Sequence, residues 1–352
     1  MVKPKCSYFG NCGGCSLQNL SYEEQLELKE RKLKEIFGKE IEIIPSRKIY
    51  DYRNRIDIPI TVNGIGFKKR GSWKDIVPIE KCEIFGKKSK KAIVELKKFM
   101  EDFKLEPWDL EKHKGFLRYI VLRESKFCEE LMINLITSQG ELPEPIDYFK
   151  ADSIYWCIND KITDISIGQI KKFWKNQFIK EKMNGIIYLI GPNSFFQANP
   201  YITKELIREV YNLVKNENVL DAYCGIGTFS LYLAKKGLKV SGFDNDKEAI
   251  ELAKKNAEIN KVKANFFLEE DRKIKELDCE TLIVDPPRPG LHPKFLKKIK
   301  VAKPKEIVYV SCNPLSLKRD IEMLNCKIES VKAFDMFPQT EHIEIVTKLK
   351  LK

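Results

Sequence analysis

The sequence of 352 residues carries 63 basic and 51 acidic side chains, which gives a formal net charge of +12. This length exceeds one ordinary core and predicts at least two structural units, while the lack of long apolar runs and of a secretory leader argues against a membrane protein and predicts a cytoplasmic one. The positive charge favours a polyanionic partner, above all a nucleic acid, with a Lys- and Glu-rich solvated surface as the alternative.

Cysteine is concentrated near the start of the chain, where CSYFGNCGGC places Cys6, Cys12 and Cys15 in a C-x5-C-x2-C pattern. Structural disulfides are rare in a reducing cytoplasm, so the pattern favours metal ligands over a disulfide framework.

The first half of the chain predicts one helix and a strand-rich region. SYEEQLELKERKLKEIF carries an apolar stripe at helical spacing over residues 21–37. RNRIDIPITVNGIGFKKR alternates in polarity and turns at Asn63-Gly64, which predicts a hairpin. Further strands are predicted in FLRYIVLRES, ELMINLITS, DSIYWCIND, ITDIS and GIIYLI, so this region is expected to form a mixed α+β domain with much antiparallel sheet.

From residue 201 predicted strands alternate with helices, which indicates an α/β fold with a doubly wound, mostly parallel sheet. The last two strands, KIESVKAFDMF and HIEIVTKLKL, have no helix between them and are predicted to pair as an antiparallel hairpin. That ending resembles the Rossmann-like (class I) methyltransferases that use S-adenosylmethionine.

NVLDAYCGIGTFSL predicts a ligand-binding loop between a strand and a helix. Gly225 and Gly227 allow the backbone to approach a ligand closely, and Asp221 precedes the loop. Asp244 ends the next strand, where its carboxylate can accept hydrogen bonds from both ribose hydroxyls of a ligand bound at the loop. A dinucleotide site is the alternative for the loop, and a helix cap is the alternative for Asp244, although Asp246 is better placed to cap.

Two further strands end in residues suited to chemistry, at the sheet edge where open α/β folds bind ligands. Asp285 in LIVDPPRPG stands where the methyltransferases that this half resembles have an Asp-Pro-Pro or Asn-Pro-Pro that positions the target base, so the resemblance implies the same role for Asp285. Carbon 5 of uracil is too weak a nucleophile to take a methyl group until a thiolate adds at carbon 6. If the target base is a uracil, Cys312 in IVYVSCNP would supply that thiolate. An inert buried thiol is the alternative for Cys312.

MFPQTEHIEIV offers a general base, which must remove the carbon 5 proton before the thiolate can leave. Glu341 and Glu344 are both candidates; Glu344 enters an apolar strand, where a carboxylate is costly without a role or a partner.

GPNSFFQANP precedes this half of the chain. Its two aromatics and glutamine suit stacking on an extruded base, with core packing of Phe195 or Phe196 as the alternative.

Together, SFFQAN, LDAYCGIGTFSL, VDPPRPG, VSCNP and FPQTEHIE resemble the RNA uracil-5-methyltransferase family, in the family's order and across the whole chain. The resemblance implies that Cys312 is the nucleophile and that Glu344, not Glu341, is the base. It also implies that Gln197 contacts S-adenosylmethionine, that Phe195 stacks on the uracil, and that Asp285 orients the base beside the donor.

Iron–sulfur members of that family carry a similar Cys-x5-Cys-Gly-Gly-Cys stretch and a fourth cysteine downstream. The resemblance therefore implies a 4Fe–4S cluster on Cys6, Cys12, Cys15 and Cys82, with zinc as the physical alternative for four thiolates.

The same resemblance implies three segments. Residues 1–17 and 51–190 are expected to form an iron–sulfur and RNA-binding domain, residues 18–50 to pack on the catalytic domain, and residues 191–352 to form the methyltransferase domain. The small β-barrel RNA-binding domain with which many members begin is expected to be missing.

Two rival functions remain open. RNA cytosine-5 methylation is disfavoured because Arg288 stands where those enzymes have a second cysteine. A catalytically silent RNA-binding iron–sulfur protein is disfavoured by the complete set of candidate site residues. The expected substrate is a uridine of large-subunit (23S) ribosomal RNA, with transfer RNA as the alternative, and the expected state is a monomer.

Overall fold

The computed structural model describes residues 2–352. Its helices, in chain order, are α1 (Tyr22–Phe37), α2 (Lys87–Asp102), α3 (Pro200–Leu213), α4 (Ser230–Lys235), α5 (Lys247–Ile259), α6 (Pro293–Ala302) and α7 (Pro314–Leu324).

The strands alternate with these helices in the second half of the chain and dominate the first half. They are β1 (Ile43–Ile44), β2 (Arg55–Thr61), β3 (Gly64–Lys68), β4 (Ile76–Pro78), β5 (Leu117–Glu124), β6 (Leu131–Thr137), β7 (Ser153–Ile158), β8 (Gln169–Lys175), β9 (Ile179–Met183), β10 (Ile186–Ile190), β11 (Asn218–Ala222), β12 (Lys239–Asp244), β13 (Ala264–Leu268), β14 (Thr281–Val284), β15 (Glu306–Ser311), β16 (Cys326–Phe334) and β17 (Glu344–Leu351). The predicted strand at ITDIS does not form; residues 162–166 are bends and irregular structure.

The chain divides into two compact units. The first contains residues 1–21, 48–181 and 190–193, and the second contains residues 22–47, 182–189 and 194–352. Residues 182–189, which hold most of the β9–β10 hairpin, belong to the second unit in this division, whereas the sequence analysis placed all of residues 51–190 in the first domain.

The first unit is built on a seven-stranded sheet in the order β4-β3-β2-β5-β6-β7-β8. All neighbouring strands are antiparallel except β6 and β7, which run parallel. The predicted turn at Asn63-Gly64 joins β2 to β3, and Gly64 has a positive φ of 123° that favours glycine. The apolar face of α2 packs with alternate residues of β2, β5 and β6 to form the core of this unit.

The second unit contains an eight-stranded sheet in the order β1-β16-β17-β15-β14-β11-β12-β13. Strands β13, β12, β11, β14 and β15 are parallel neighbours, and β17 is antiparallel to both β15 and β16. The predicted pairing of the last two strands is confirmed. This is the class I methyltransferase fold, because the antiparallel β17 sits between β15 and β16 at one end of a parallel sheet.

Helices cover both faces of this sheet. Apolar residues of α1, α6 and α7 form one buried cluster with alternate residues of β11, β14, β15 and β17. Helices α3, α4 and α5 contact β17, β12 and β13, and their apolar residues lie outside that cluster. No helix within residues 2–352 has the length and apolar character needed to cross a bilayer.

The amino-terminal α1 and β1 are part of the second unit, although more than 130 residues of the first unit follow them in sequence. Strand β1 pairs in parallel with β16, matching Ile43 with Ala333 and Ile44 with Phe334. Helix α1 contacts α7, and its fully buried Leu33 joins the core cluster. Burial of this stripe, rather than helix propensity alone, is what stabilises α1 in its position.

Candidate active site

The sheet register brings the candidate site residues to one edge of the second unit. Ala222 of β11 pairs with Val284 of β14, and Val284 pairs with Tyr309 of β15, so these strands end side by side. Ser311 at the end of β15 pairs with Ile345 of the antiparallel β17. The residues immediately beyond those ends, including Asp285, Cys312 and Glu344, therefore gather at this edge.

The loop after β11 has the backbone that the glycines were expected to supply. Gly225 and Gly227 have positive φ values of 53° and 87°. A Cβ atom on Gly227 would lie 3.0 Å from the Leu231 side chain and 3.2 Å from the Phe266 ring, so the close packing of this turn requires glycine.

Asp221 lies fully buried beneath this loop. Its Oδ2 atom accepts hydrogen bonds from the backbone N–H and the hydroxyl of Ser230, at 3.2 and 2.5 Å. Its Oδ1 atom has no hydrogen-bond partner in the protein. Burial, with a smaller contribution from the nearby carboxylate of Asp244, raises the pKa of Asp221 to about 7. A buried acceptor with an unused oxygen suits a positively charged ligand.

Asp244 ends β12 and points into the same loop. It accepts hydrogen bonds from the backbone N–H groups of Gly225 and Asp246, each at 3.0 Å. Asp246 caps α5 by accepting from the N–H groups of Glu248 and Ala249. The cap is therefore Asp246, as expected, and Asp244 remains available to a ligand.

Asp285 joins these two carboxylates from the end of β14. Burial raises its pKa to about 8, and the negative charges of Asp221 and Asp244 contribute to the shift. The Nε2 atom of Gln197 donates a hydrogen bond to Asp285 at 3.1 Å. Because three carboxylates repel one another here, a cation placed among them would be stabilised.

Cys312 and Glu344 form the second half of the site. Cys312 is partly buried, and its pKa rises to about 11 through burial and through the neighbouring carboxylates of Glu344 and Asp285. Burial also raises the pKa of Glu344 well above the usual carboxyl range, with Asp285 adding to the effect. The thiol and the carboxyl are thus close neighbours, and both favour their neutral forms without a ligand.

Arg288 is the site residue that sequence reasoning missed as a functional group. Its positive charge lowers the pKa of both Cys312 and Glu344. Its backbone carbonyl accepts hydrogen bonds from Asn313 Nδ2 at 3.0 Å and Ser316 Oγ at 2.9 Å, and its guanidinium lies 3.2 Å from the His342 ring. The arginine directly after Asp-Pro-Pro could have revealed this role, because it follows a strand end that was already a candidate.

The remaining candidates, two phenylalanines and two glutamates, differ in burial. Phe196 is buried and its ring lies 5.4 Å from that of Tyr188, whereas Phe195 is 64% exposed and available for stacking. Glu341 is exposed and lies 3.5 Å from Lys32, so it resembles a solvated loop residue. Glu344 is 3% exposed.

The four cluster cysteines lie in the first unit and form no disulfide. Burial, with smaller contributions from the charges of Cys12 and Cys6, raises the pKa of Cys15 to about 11. Burial raises the pKa of Cys82 to about 12 with a contribution from Cys15, so Cys15 has electrostatic contact with each of the other three thiols. No group of three or more His, Cys, Asp or Glu side chains within residues 2–352 is arranged so that it could hold a metal ion.

Donors of hydrogen bonds surround these thiols. The backbone N–H of Gly14 donates to Cys12 Sγ at 3.4 Å, and backbone N–H groups of Phe85 and Ile84 face Cys82. The Gln18 side chain accepts from the Cys6 N–H at 3.0 Å and interacts with the Cys15 sulfur. Such N–H groups stabilise the thiolates of an iron–sulfur centre. These thiols and the N–H groups beside them are therefore of the chemical type that a thiolate-ligated cluster uses.

Two family models match the second half of the chain. Residues 263–352 match the tRNA (uracil-5-)-methyltransferase family, and residues 213–286 match a methyltransferase domain.

Curated relatives match nearly the whole chain. A tRNA (uracil(54)-C(5))-methyltransferase of Pyrococcus abyssi is 52% identical over 348 residues, covering 99% of this chain and 86% of the relative. A 23S rRNA (uracil(747)-C(5))-methyltransferase of the same organism is 42% identical over 359 residues, with the same coverage of both chains.

A solved structure is similar to nearly the whole chain as well. The crystal structure of the P. abyssi tRNA (uracil-54, C5)-methyltransferase in complex with S-adenosyl-L-homocysteine superposes with a TM-score of 0.89 at 50% identity, covering 97% of this chain and 86% of that one.

Proposed function

Because this chain belongs to the RNA uracil-5-methyltransferase family and uses S-adenosylmethionine, we propose that it methylates carbon 5 of uridine 54 in transfer RNA. The neighbouring Cys312 and Glu344 at one sheet edge are the observation that carries the chemistry. The substrate rests on the higher identity to the tRNA-directed relative, at 52% against 42% for the 23S-directed one. This proposal replaces the preference for 23S ribosomal RNA drawn from the sequence.

In the proposed mechanism the Cys312 thiolate adds to carbon 6 of uracil, and the electron pair of the 5,6 double bond moves toward carbon 5 and the carbonyl oxygen. Carbon 5 would then take the methyl group that S-adenosylmethionine supplies, with the electron pair of the broken methyl–sulfur bond staying on the sulfur of S-adenosylhomocysteine. Arg288 favours the thiolate by placing a positive charge beside it. The raised pKa of Cys312 in the free protein means that substrate binding must accompany its activation.

Glu344 completes the proposed reaction as the general base. Its carboxylate takes the proton from carbon 5, the electron pair restores the 5,6 double bond, and the Cys312–carbon 6 bond breaks to release the thiolate. Burial raises the pKa of Glu344, so the deprotonated group is a stronger base than an exposed carboxylate.

The donor pocket would be formed by Asp221, the Gly225 and Gly227 backbone, Asp244 and Gln197. The acidic cluster and the unpartnered Oδ1 atom of Asp221 suit the positive charge of the donor. Each carboxylate oxygen of Asp244 accepts one backbone N–H and retains a second lone pair for a ribose hydroxyl. Asp285 lies between this pocket and Cys312, where it would contact both the donor and the base.

The exposed ring of Phe195 would stack on the extruded uracil.

A 4Fe–4S cluster on Cys6, Cys12, Cys15 and Cys82 is part of the proposal. The electrostatic contact of Cys15 with the other three thiols and the N–H groups beside them support it, and a bound cluster would stabilise the thiolates that burial disfavours. Methyl transfer requires no electron transfer, so the cluster would serve to fold this segment. Serine replacement of Cys82 should abolish the visible iron–sulfur absorbance of anaerobically purified protein; an unchanged spectrum and iron content would exclude Cys82 as a ligand.

The test of function uses labelled S-adenosylmethionine with unmodified transcripts of transfer RNA, of the same transfer RNA with cytidine at position 54, and of 23S ribosomal RNA. We expect 5-methyluridine only in the first, and none with the Cys312→Ala variant. Methylation of the ribosomal transcript alone would overturn the substrate assignment. Product formed by Cys312→Ala would overturn the covalent mechanism.

A further inference from the structure

Glu344 is the first residue of β17 and pairs with Phe334 of β16, so the segment between these two residues determines how the chain enters β17 at Glu344. Residues 335–343 connect β16 to β17 and carry no helix or strand. A connection of this kind orders a catalytic side chain only when other elements restrain it. The restraint comes from α1, which lies about 300 residues away in sequence.

A buried ion pair ties α1 to the start of this segment. Lys29 Nζ lies 2.5 Å from Asp335 Oδ1, and the side chains of both residues are fully buried. Lys29 also donates to the Phe337 carbonyl at 3.3 Å. The Tyr22 hydroxyl donates to Asp335 Oδ2 at 2.8 Å and accepts from the Ser46 N–H at 2.7 Å. Both carboxylate oxygens of Asp335, and its backbone N–H through the Ile44 carbonyl, are thus bonded to the amino-terminal segment.

A second contact holds the middle of the segment. The Gln339 N–H donates to Gln25 Oε1 at 2.9 Å, and Gln25 Nε2 donates to Gln339 Oε1 at 3.1 Å. Gln339 has a φ of 71°, in the left-handed region that non-glycine residues rarely occupy. Such a conformation persists only where surrounding contacts over-determine it, and Gln25 supplies a reciprocal pair of them.

These contacts share one consequence. The segment cannot move without separating a buried charge pair and exposing buried amides, and either change is costly. Lys29 and Gln25 lie one turn apart on α1 and therefore act on the segment from the same helix face.

We propose that Gln25 and Lys29 of α1 are positioning residues for Glu344, so that α1 governs the proton-removal step of the reaction rather than formation of the covalent adduct. The inference rests on the proposed function. Cys312 itself follows β15 and precedes the Asn313 cap of α7, so its position is set by different contacts. Loosening residues 335–343 should therefore leave addition of the thiolate intact and slow its elimination.

The test compares Gln25→Ala and Lys29→Met with wild type in a single turnover on the methyl-accepting transcript. Denaturing gels follow the protein–RNA adduct, and nucleoside digestion follows 5-methyluridine. Lys348→Met is the matched control, because Lys348 forms a 2.5 Å pair with Glu306 that is also largely buried and lies on β17. That variant removes an ion pair from the same strand, four residues beyond Glu344 and away from residues 335–343.

We expect adduct formation within about twofold of wild type, and decay to product slowed about 10- to 100-fold, as for a catalytic group displaced by about 1 Å. The adduct should accumulate with Gln25→Ala and not with Lys348→Met. Equal slowing of both steps, or the same accumulation with Lys348→Met, would overturn the inference. Gln25→Ala leaves no buried charge, so it carries the test if Lys29→Met fails to fold. A wild-type protein that forms no 5-methyluridine would instead refute the proposed function.

Discussion

Replacement of Lys29 by methionine should destabilise the second unit strongly. The substitution keeps an apolar stem of similar length and removes the ammonium group that lies 2.5 Å from Asp335. Both side chains are fully buried, so the carboxylate would lose its counter-ion without gaining access to water. Removing one charged partner of a buried ion pair lowers the free energy of unfolding by about 3–5 kcal/mol.

The assay must report on the second unit. All four tryptophans, at positions 73, 108, 156 and 174, lie in the first unit, so their fluorescence follows the other half of the chain. Amide hydrogen exchange in β16 and β17 under increasing urea would measure the relevant free energy. The tryptophan signal then serves as an internal reference.

Lys34→Met is the matched control on the same helix. Lys34 pairs with Glu40 at 2.9 Å, but their side chains are 59% and 86% exposed, so this substitution should leave the unfolding free energy unchanged within error. If Lys29→Met lowered the free energy no more than Lys34→Met, the reasoning that Asp335 depends on a buried counter-ion would be refuted.

Three further outcomes are expected. Glu344→Gln should accumulate a denaturation-resistant RNA adduct while 5-methyluridine formation falls about 10²- to 10⁴-fold, and a gel without that adduct would remove Glu344 as the base. The free protein should lose stability as pH rises from about 4 toward 7, because burial raises the pKa of Asp221 to about 7 and its folded form retains a proton that the unfolded chain has released; urea titrations should find this slope reduced in Asp221→Asn. Calorimetry should find that S-adenosylmethionine binds more tightly at pH 8 than at pH 6, because the deprotonated Asp221 attracts the positive donor, and a pH-independent affinity would contradict that role.

Sequence alone determined the elements whose information is local. The helical stripe of residues 21–37, the turn at Asn63-Gly64 and the alternation after residue 201 follow from side-chain periodicity and turn chemistry, and the structure has each of them. The positions of Asp285 and Cys312 at strand ends could be predicted from the sequence for the same reason. The prediction of a strand at ITDIS was wrong, because a short alternating stretch does not form a strand without a neighbouring strand to pair with.

The tertiary structure decided the contacts between distant segments. Lys29 and Asp335 are 306 residues apart, and no periodicity in either segment indicates that they meet. The charge of Arg288 acts on Cys312 and Glu344 because the order β14-β15-β17 makes their strand ends neighbours. A local pattern fixes which face of an element is apolar, but the partner of that face is selected by packing across the whole core, where long-range burial outweighs local preference.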